Sequence, residues 1–140
     1  MKEPRWVPES AVIAMHEELI AEHGGATGIR DSGLLSASLA RPKHLIAYSD
    51  TVTLFDLAAA YAYGLAKNHA FVDGNKRISL VVTDVFLRIN GYKLVASEAE
   101  AVIKINNLVE GIDEQDSIAA WIAANSQGSS VASRWVSAPS

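Results

Sequence analysis

Apolar residues recur at intervals of three and four along most of this chain, which is the period of one buried helix face. The first such stretch follows Pro8, and a pair of glycines beginning at Gly24 is expected to end it. A second stretch follows Asp31, which can serve as an N-cap. It is predicted to end before Pro42, because the residue that precedes a proline disfavours helical geometry. Residues 43–52 are then predicted to form a connector.

Two longer apolar stretches lie in the middle of the chain. One opens at Asp50 or Thr53, carries apolar residues on a single face and fades near Asn68. The other runs from about Asn75 to Asn90 and is followed by a glycine suited to a left-handed helix end. Its centre is apolar on more than one side, as expected of a helix in the middle of a core. Its β-branched residues would also suit a strand, but its length and the glycine favour a helix.

The last part of the chain continues the pattern with two more helices. Residues 92–95 indicate a short extended segment. Ser97 begins a capping box and opens a helix that is expected to end at Gly111. Asp113 or Asp116 is predicted to start a final helix, which reaches about position 125. The pattern as a whole therefore predicts an all-α fold.

Composition changes this picture little. The 140 residues are 49% hydrophobic and 20% charged, which is typical of one globular domain. We assign that domain to residues 1–125, and the Ser/Gly-rich segment 126–140 is predicted to be a disordered tail. The chain has no cysteine, so disulfides and thiolate metal sites are excluded.

Charge and hydropathy suggest where such a chain would act. The net charge of -4 argues against a basic footprint for direct nucleic-acid binding. No secretory signal pattern and no apolar run long enough for a membrane span are present, so the expected location is the cytoplasm, without a membrane partner. His16, His23 and His44 each lie apart from other candidate ligands and are expected to be structural or exposed.

Residues 69–77, with the sequence HAFVDGNKR, hold most of the candidate chemistry. His69 lies just before the fourth helix, and its ordinary pKa near 6.5 suits a general base that removes a proton from a hydroxyl. The alternative is a structural histidine that only hydrogen-bonds a loop carbonyl. Asp73 could hold Mg²⁺ on nucleotide phosphates, or it could cap the following helix, and the two roles can coexist.

The remaining motif residues suit the binding of an anion. Gly74 permits a positive φ and a close approach of the backbone to phosphate. Asn75 can fix the loop or contact an oxygen. Lys76 and Arg77 place two cations at a helix N-terminus, where they oppose the helix dipole, so their position favours an anionic ligand such as phosphate. The alternative is a pair of solvated cations without a ligand. No Walker P-loop is present.

These nine residues resemble the signature HxFx[DE]GN[GK]R of the Fic/Doc superfamily. The flanking segments, including residues 28–31, 40–42 and 86–91, resemble the Doc (death-on-curing) branch. The resemblance implies an all-α helical bundle in which the motif loop lies between two central helices. It also implies His69 as the catalytic residue, Asp73 as the metal-binding residue and residues 74–77 as the nucleotide-binding residues, with ATP and Mg²⁺ as cofactors.

Two activities are known among proteins that this motif resembles. Fic enzymes transfer AMP from ATP to protein hydroxyls, whereas Doc-like toxins transfer the γ-phosphate to a threonine of elongation factor Tu and so inhibit translation. AMP-transferring members usually have glycine at the position of Lys76 and a second arginine at the position of Leu80. The resemblance therefore favours the kinase, with AMP transfer and a non-catalytic binding module as the alternatives. Val81 replaces a phosphate-contacting asparagine of a Doc toxin, which implies either different ATP contacts or a reduced activity.

The resemblance further implies an antitoxin protein as a partner. The inhibitory motif [ST]xxxE[GN] has no good match, since the nearest segment, residues 106–111, lacks the leading Ser or Thr. Inhibition by a separate protein fits this absence better than self-inhibition. Residues 27–31 are expected to form either a flap that docks a target segment by strand addition or a capped turn, and Arg30 is expected to pair with Asp31 or with a core carboxylate.

Overall fold

The computed structural model describes residues 2–128, which form six helices and one short two-stranded sheet. The helices are α1 (Glu9–His23), α2 (Ser32–Tyr48), α3 (Leu54–Lys67), α4 (Asn75–Ile89), α5 (Glu98–Glu110) and α6 (Gln115–Ala124), and the strands are β1 (Tyr92–Leu94) and β2 (Ser126–Gly128). The predicted all-α fold is confirmed. None of the helices in this described part of the chain is long and apolar enough to cross a membrane.

Helices α3 and α4 form the centre of the bundle. Thr53 caps α3 through a reciprocal capping box with Asp56, and ten of the fourteen residues of α3 are buried. Its alanines allow α4 to approach closely, and the hydroxyl of Ser79 on α4 donates to the carbonyl of Ala62 on α3 at 2.9 Å. Both helices are thus fixed relative to each other, and the motif loop joins them directly, as predicted.

Helix α2 is longer than the sequence pattern predicted. It continues through Pro42 to Tyr48, so the predicted end before Pro42 is wrong, and most of the predicted connector is helical. A proline in a helix removes one backbone hydrogen bond. Here Pro42 is buried, and the face that begins with Leu35 and Leu39 continues beyond it to Leu45. Burial of this continuous apolar face offsets the missing bond.

The C-terminal end of the described chain forms β2, not a tail. Ser126 pairs with Leu94 and Gly128 with Tyr92 in an antiparallel arrangement, so the tail predicted from Ser126 is wrong for residues 126–128. The rest of that prediction falls on residues 129–140, outside the described residues. Helix α6 begins at Gln115 with Glu114 as its N-cap, between the two predicted starting points.

An N-terminal strap, residues 2–8, crosses the bundle ahead of α1. The backbone N–H of Val7 donates to the hydroxyl of Tyr61 at 3.1 Å, and the Asn90 side chain pairs with the backbone of Arg5. Trp6 stacks on Phe86 with 6.0 Å between ring centroids. The strap therefore closes the core on the side where α4 ends.

Candidate active site

The motif loop lies between the end of α3 and the start of α4, and its backbone turns sharply at two positions. His69 has φ 50°, and within the described residues it alone among non-glycine residues has a positive φ. Gly74, the N-cap of α4, has φ 76°. A Cβ at Gly74 would lie 3.3 Å from Cδ1 of Ile20, so that side chain would have to shift slightly. The positive φ is therefore the main reason for glycine at this position.

Asn75 fixes the shape of the loop. Its Oδ1 accepts from the backbone N–H of Phe71 at 3.0 Å, and its Nδ2 donates to the carbonyl of Phe71, also at 3.0 Å. Nδ2 also lies 3.5 Å from Nδ1 of His69. Because the amide is buried and both of its polar atoms are engaged with the loop, the geometry favours the loop-fixing alternative for this side chain.

His16 supports the loop from α1. Its Nε2 lies 2.7 Å from the carbonyl oxygen of Asp73, and since a carbonyl only accepts, this nitrogen carries the proton. The imidazole stacks on the ring of Phe71 with 3.8 Å between centroids. His16 is thus a buried structural residue, so of the two predicted alternatives, structural or exposed, the first is confirmed.

Residues 28–31 run alongside the motif loop. Ile29 and Phe71 form an isolated antiparallel bridge, and Val72 donates to the carbonyl of Gly28 at 3.1 Å. Asp31 caps α2 by accepting from Leu34, so a capped turn is present. The Arg30 guanidinium bonds to backbone carbonyls of the loop, and the expected pairing with a carboxylate is wrong.

Asp73 presents an exposed carboxylate beside the loop. Its Oδ1 accepts from the N–H of Gly74 at 2.8 Å, and its Oδ2 accepts from the N–H of Ala26 at 3.2 Å. It does not cap α4, because Gly74 is the N-cap and α4 has no side-chain cap. Each oxygen retains a free lone pair, which fits the single protein carboxylate that Mg²⁺ on a nucleotide often takes. No group of three or more potential metal ligands occurs in residues 2–128, so a metal here would depend on ligand oxygens.

The start of α4 is open to an anion. No side chain caps it, and the side chains of Lys76 and Arg77 are exposed in its first turn. Uncapped N–H groups and the positive end of the helix dipole attract negative charge, whereas two cations there destabilise the helix by itself. An anionic ligand would reverse that unfavourable arrangement.

A cleft of about 630 Å³ joins these groups in one space. All six predicted site residues line it, namely His69, Asp73, Gly74, Asn75, Lys76 and Arg77. Leu80, Val102 and Ile105 supply an apolar wall, and Glu98 and Asn106 of α5 add polar groups. The volume and mixed lining suit a nucleotide-sized ligand. Leu80 lies in this lining, whereas Val81 does not.

The six site residues predicted from the sequence lie in one cleft, but the supporting roles of His16 and Arg30 were not predicted. For His16 a signal existed, because it shares the buried face of α1 with Val12 and Ile20. The role of Arg30 had no such signal, since it depends on carbonyls that lie far along the chain.

Comparison with known proteins agrees with the geometry. A family model described as "Fic/DOC family" matches residues 6–87, more than half of the chain. The chain is similar to "Protein kinase doc" of Escherichia phage P1, with 34% identity over 93 residues, covering 66% of this chain and 74% of that protein. It is also similar to "Toxin Doc" of Mycolicibacterium smegmatis, with 43% identity over 103 residues, covering 71% of this chain and 79% of that protein.

Proposed function

Because this chain belongs to the Doc branch of the Fic/Doc family, we propose that it is the toxin of a toxin–antitoxin system and acts as a protein kinase. The kinase would transfer the γ-phosphate of ATP to a serine or threonine hydroxyl of a translation factor, with elongation factor Tu as the first candidate. A separate antitoxin protein would inhibit it, and its place of action would be the cytoplasm.

The observation that carries the proposal is the lining of the cleft. A candidate base, His69, shares this space with an uncapped helix N-terminus and with two exposed cations, Lys76 and Arg77. Leu80 contributes an apolar side chain where AMP-transferring relatives usually have arginine. Because position 80 carries no cation, it does not favour binding of ATP with the α-phosphate next to His69. This absence supports transfer of the γ-phosphate.

Each group then has a defined task in the transfer. His69 accepts the proton of the attacking hydroxyl, and the hydroxyl oxygen forms a bond to the γ-phosphorus. The bond between that phosphorus and the bridging oxygen breaks, and ADP leaves with the electron pair. The N-terminal amides of α4, with Lys76 and Arg77, stabilise the charge on the phosphoryl oxygens. The proton on His69 is finally released to solvent.

Mg²⁺ fits the site through one protein ligand. Asp73 would hold it, and the ion would supply charge neutralisation on the phosphates when bound. The Asp73 carboxylate is itself oriented by the N–H groups of Gly74 and Ala26, so its position depends on the loop and on the segment after α1.

The decisive experiment uses ATP labelled separately on the α- and γ-phosphates. The purified chain is incubated with a bacterial translation extract, and labelled protein is measured with the wild type and with His69→Ala. We expect label only from the γ-phosphate, and a loss of roughly 10²- to 10⁴-fold in rate on removal of the base. His44→Ala is the matched control, because His44 is also exposed but lies on α2 away from the cleft lining.

Two results would contradict the proposal. Label from the α-phosphate on protein would establish AMP transfer instead. Equal growth arrest by the wild type and by His69→Ala in cells would show that toxicity does not depend on this chemistry and would favour a non-catalytic binding module.

A further inference from the structure

The imidazole of His69 has little direct support. Among the described residues its single polar contact is Nδ2 of Asn75, at 3.5 Å from Nδ1. That distance lies beyond the usual range of protein hydrogen bonds, so the contact holds the ring only weakly. The direction in which the imidazole points is therefore determined largely by the backbone of His69.

That backbone requires an external restraint. A φ of 50° is uncommon for a residue with a side chain, because Cβ then approaches the backbone closely. Such a conformation persists only where the surrounding structure enforces it. It also falls at the residue proposed to act as the base, where the direction of the side chain matters most.

Arg30 and its neighbour supply that restraint. The Nε of Arg30 donates to the carbonyl of His69 at 2.6 Å, and its Nη2 donates to the carbonyl of Asn68 at 3.2 Å. The backbone N–H groups of Arg30 and Asp31 both donate to the carbonyl of Ala70, at 2.8 and 3.0 Å. Three successive carbonyls, from 68 to 70, are thus bonded from one short segment. The planar, charged guanidinium is well suited to hold two of them at once.

We propose that Arg30 is a positioning residue, whose guanidinium holds the left-handed backbone of His69 and so directs the imidazole into the cleft. The conformational part of this inference stands on the contacts alone. Its consequence for catalysis rests on the proposed phosphotransferase function.

A simpler role for Arg30 would be to cap α3. A cation near the C-terminus of a helix stabilises its last carbonyls and its dipole, and α3 ends at Lys67 with Asn68 as its C-cap. In that case removal of the guanidinium would lower stability without changing the imidazole. The two roles therefore differ in what happens to His69, which can be observed directly.

The test compares the full chain carrying Arg30→Ala, Arg30→Lys or Arg88→Ala with the wild type. Arg88 is the matched control, since its guanidinium pairs with Asp84 on the exposed face of α4. The side-chain NMR signals of His69, assigned with the His69→Ala variant, and the nuclear Overhauser contacts between its ring and Asn75 are measured at one pH. Thermal unfolding and γ-phosphate transfer are measured in parallel.

We expect Arg30→Ala to change the chemical shifts of His69 and the contacts of its ring with Asn75, and to slow transfer by roughly 10- to 100-fold, as for a catalytic group displaced by about 1 Å. Arg30→Lys, which can reach one carbonyl, should restore part of both, and Arg88→Ala should change neither. Wild-type His69 signals in Arg30→Ala, whatever its stability, would overturn the inference. If Arg30→Ala does not fold, Arg30→Lys replaces it in the test, because lysine keeps a cation near the end of α3. Wild-type His69 signals and full transfer in Arg30→Lys would then overturn the positioning role.

The two proposals can fail separately. The NMR comparison does not require any transfer activity, so a changed His69 signal would support the positioning role even if no label appears on protein. Conversely, γ-phosphate transfer that is lost in His69→Ala but retained in full by Arg30→Ala would leave the proposed function intact and remove the positioning role.

Discussion

Replacement of Gly25 by alanine is expected to displace the carboxylate of Asp73. A Cβ at Gly25 would lie 2.6 Å from Asp73 Oδ2 and 3.3 Å from Cδ1 of Ile20. Ordinary van der Waals contact begins at 3.4 Å, so the carboxylate oxygen must retreat by the difference between 2.6 and 3.4 Å, about 0.8 Å. This retreat lengthens the 3.2 Å bond from Ala26 to Oδ2 beyond hydrogen-bonding distance.

The free energy of unfolding should fall for two reasons. Gly25 has φ +116°, and a residue with a side chain in such a region costs about 1–3 kcal/mol. The lost bond to Ala26 adds about 0.5–1.5 kcal/mol. The smaller conformational entropy of the unfolded alanine variant offsets only about 0.4–1 kcal/mol. The net destabilisation is therefore about 0.5–4 kcal/mol.

Gly24→Ala separates the backbone effect from the displacement of the carboxylate. Gly24 also has a positive φ, +83°, but a Cβ there would meet nothing within 4 Å. We expect both variants to be destabilised in urea denaturation. The Mg²⁺ concentration required for half-maximal γ-phosphate transfer should rise in Gly25→Ala and stay near the wild-type value in Gly24→Ala.

A wild-type Mg²⁺ requirement in Gly25→Ala would contradict the role of Asp73 as the Mg²⁺ ligand, because the carboxylate would have moved without any effect on the metal. The reasoning fails also if both variants raise that requirement equally, since the backbone and not the Asp73 contact would be responsible.

Three further expectations follow from single contacts. Asn75→Ala leaves the buried N–H and carbonyl of Phe71 without partners, which costs about 1–3 kcal/mol of stability for each group. The midpoint of thermal unfolding should therefore fall. An unchanged midpoint would show that the Asn75 amide does not fix the loop. Burial raises the pKa of Tyr61 above its ordinary value of 10.0, against a smaller opposite effect of the hydrogen bond from Val7. The stability that neutral Tyr61 contributes is present below pH 10 and is lost as the pH rises through the folded-state pKa. Above pH 10 the free energy of unfolding should therefore fall more in the wild type than in Tyr61→Phe. An equal pH dependence of the two proteins would contradict this. Leu80→Arg adds a cation to the cleft and should tighten ATP binding by on the order of 0.5–1 kcal/mol in calorimetry, as for exposed ion pairs, whereas an unchanged Kd would place the phosphates away from position 80.

Local signals predicted the helices whose ends depend on nearby residues. Thr53 caps α3 and Ser97 caps α5 as expected, because each cap bonds an N–H only three residues away. The predicted end of α2 was wrong because Pro42 is a strong local signal for the end of a helix. The burial that outweighs this signal depends on the packing of α2 against α3, which a local pattern does not contain. Strand β2 had no local signal at all, since its bonds go to β1, and Tyr92 is far from Gly128 in sequence.

The candidate site shows the same division. The side chains that carry the proposed chemistry, such as His69 and Lys76, are contiguous in sequence and could be identified from their types. Apart from Asn75, the side chains that hold the loop come from elsewhere, as His16 and Arg30 do, and they bond to backbone atoms. A backbone carbonyl looks the same at every position of a sequence, so a sequence pattern cannot indicate which one a distant side chain will reach.

The anchors of the motif loop determine which positions of the site can be substituted without disturbing the loop. His16, Arg30 and Asn75 all bond to main-chain atoms of the loop, whereas Lys76 and Leu80 face the cleft without such bonds to it. The shape of the loop therefore depends little on the side chains of Lys76 and Leu80. Substitutions at Lys76 and Leu80 are therefore expected to change how the cleft holds an anion while the backbone of the loop stays in place.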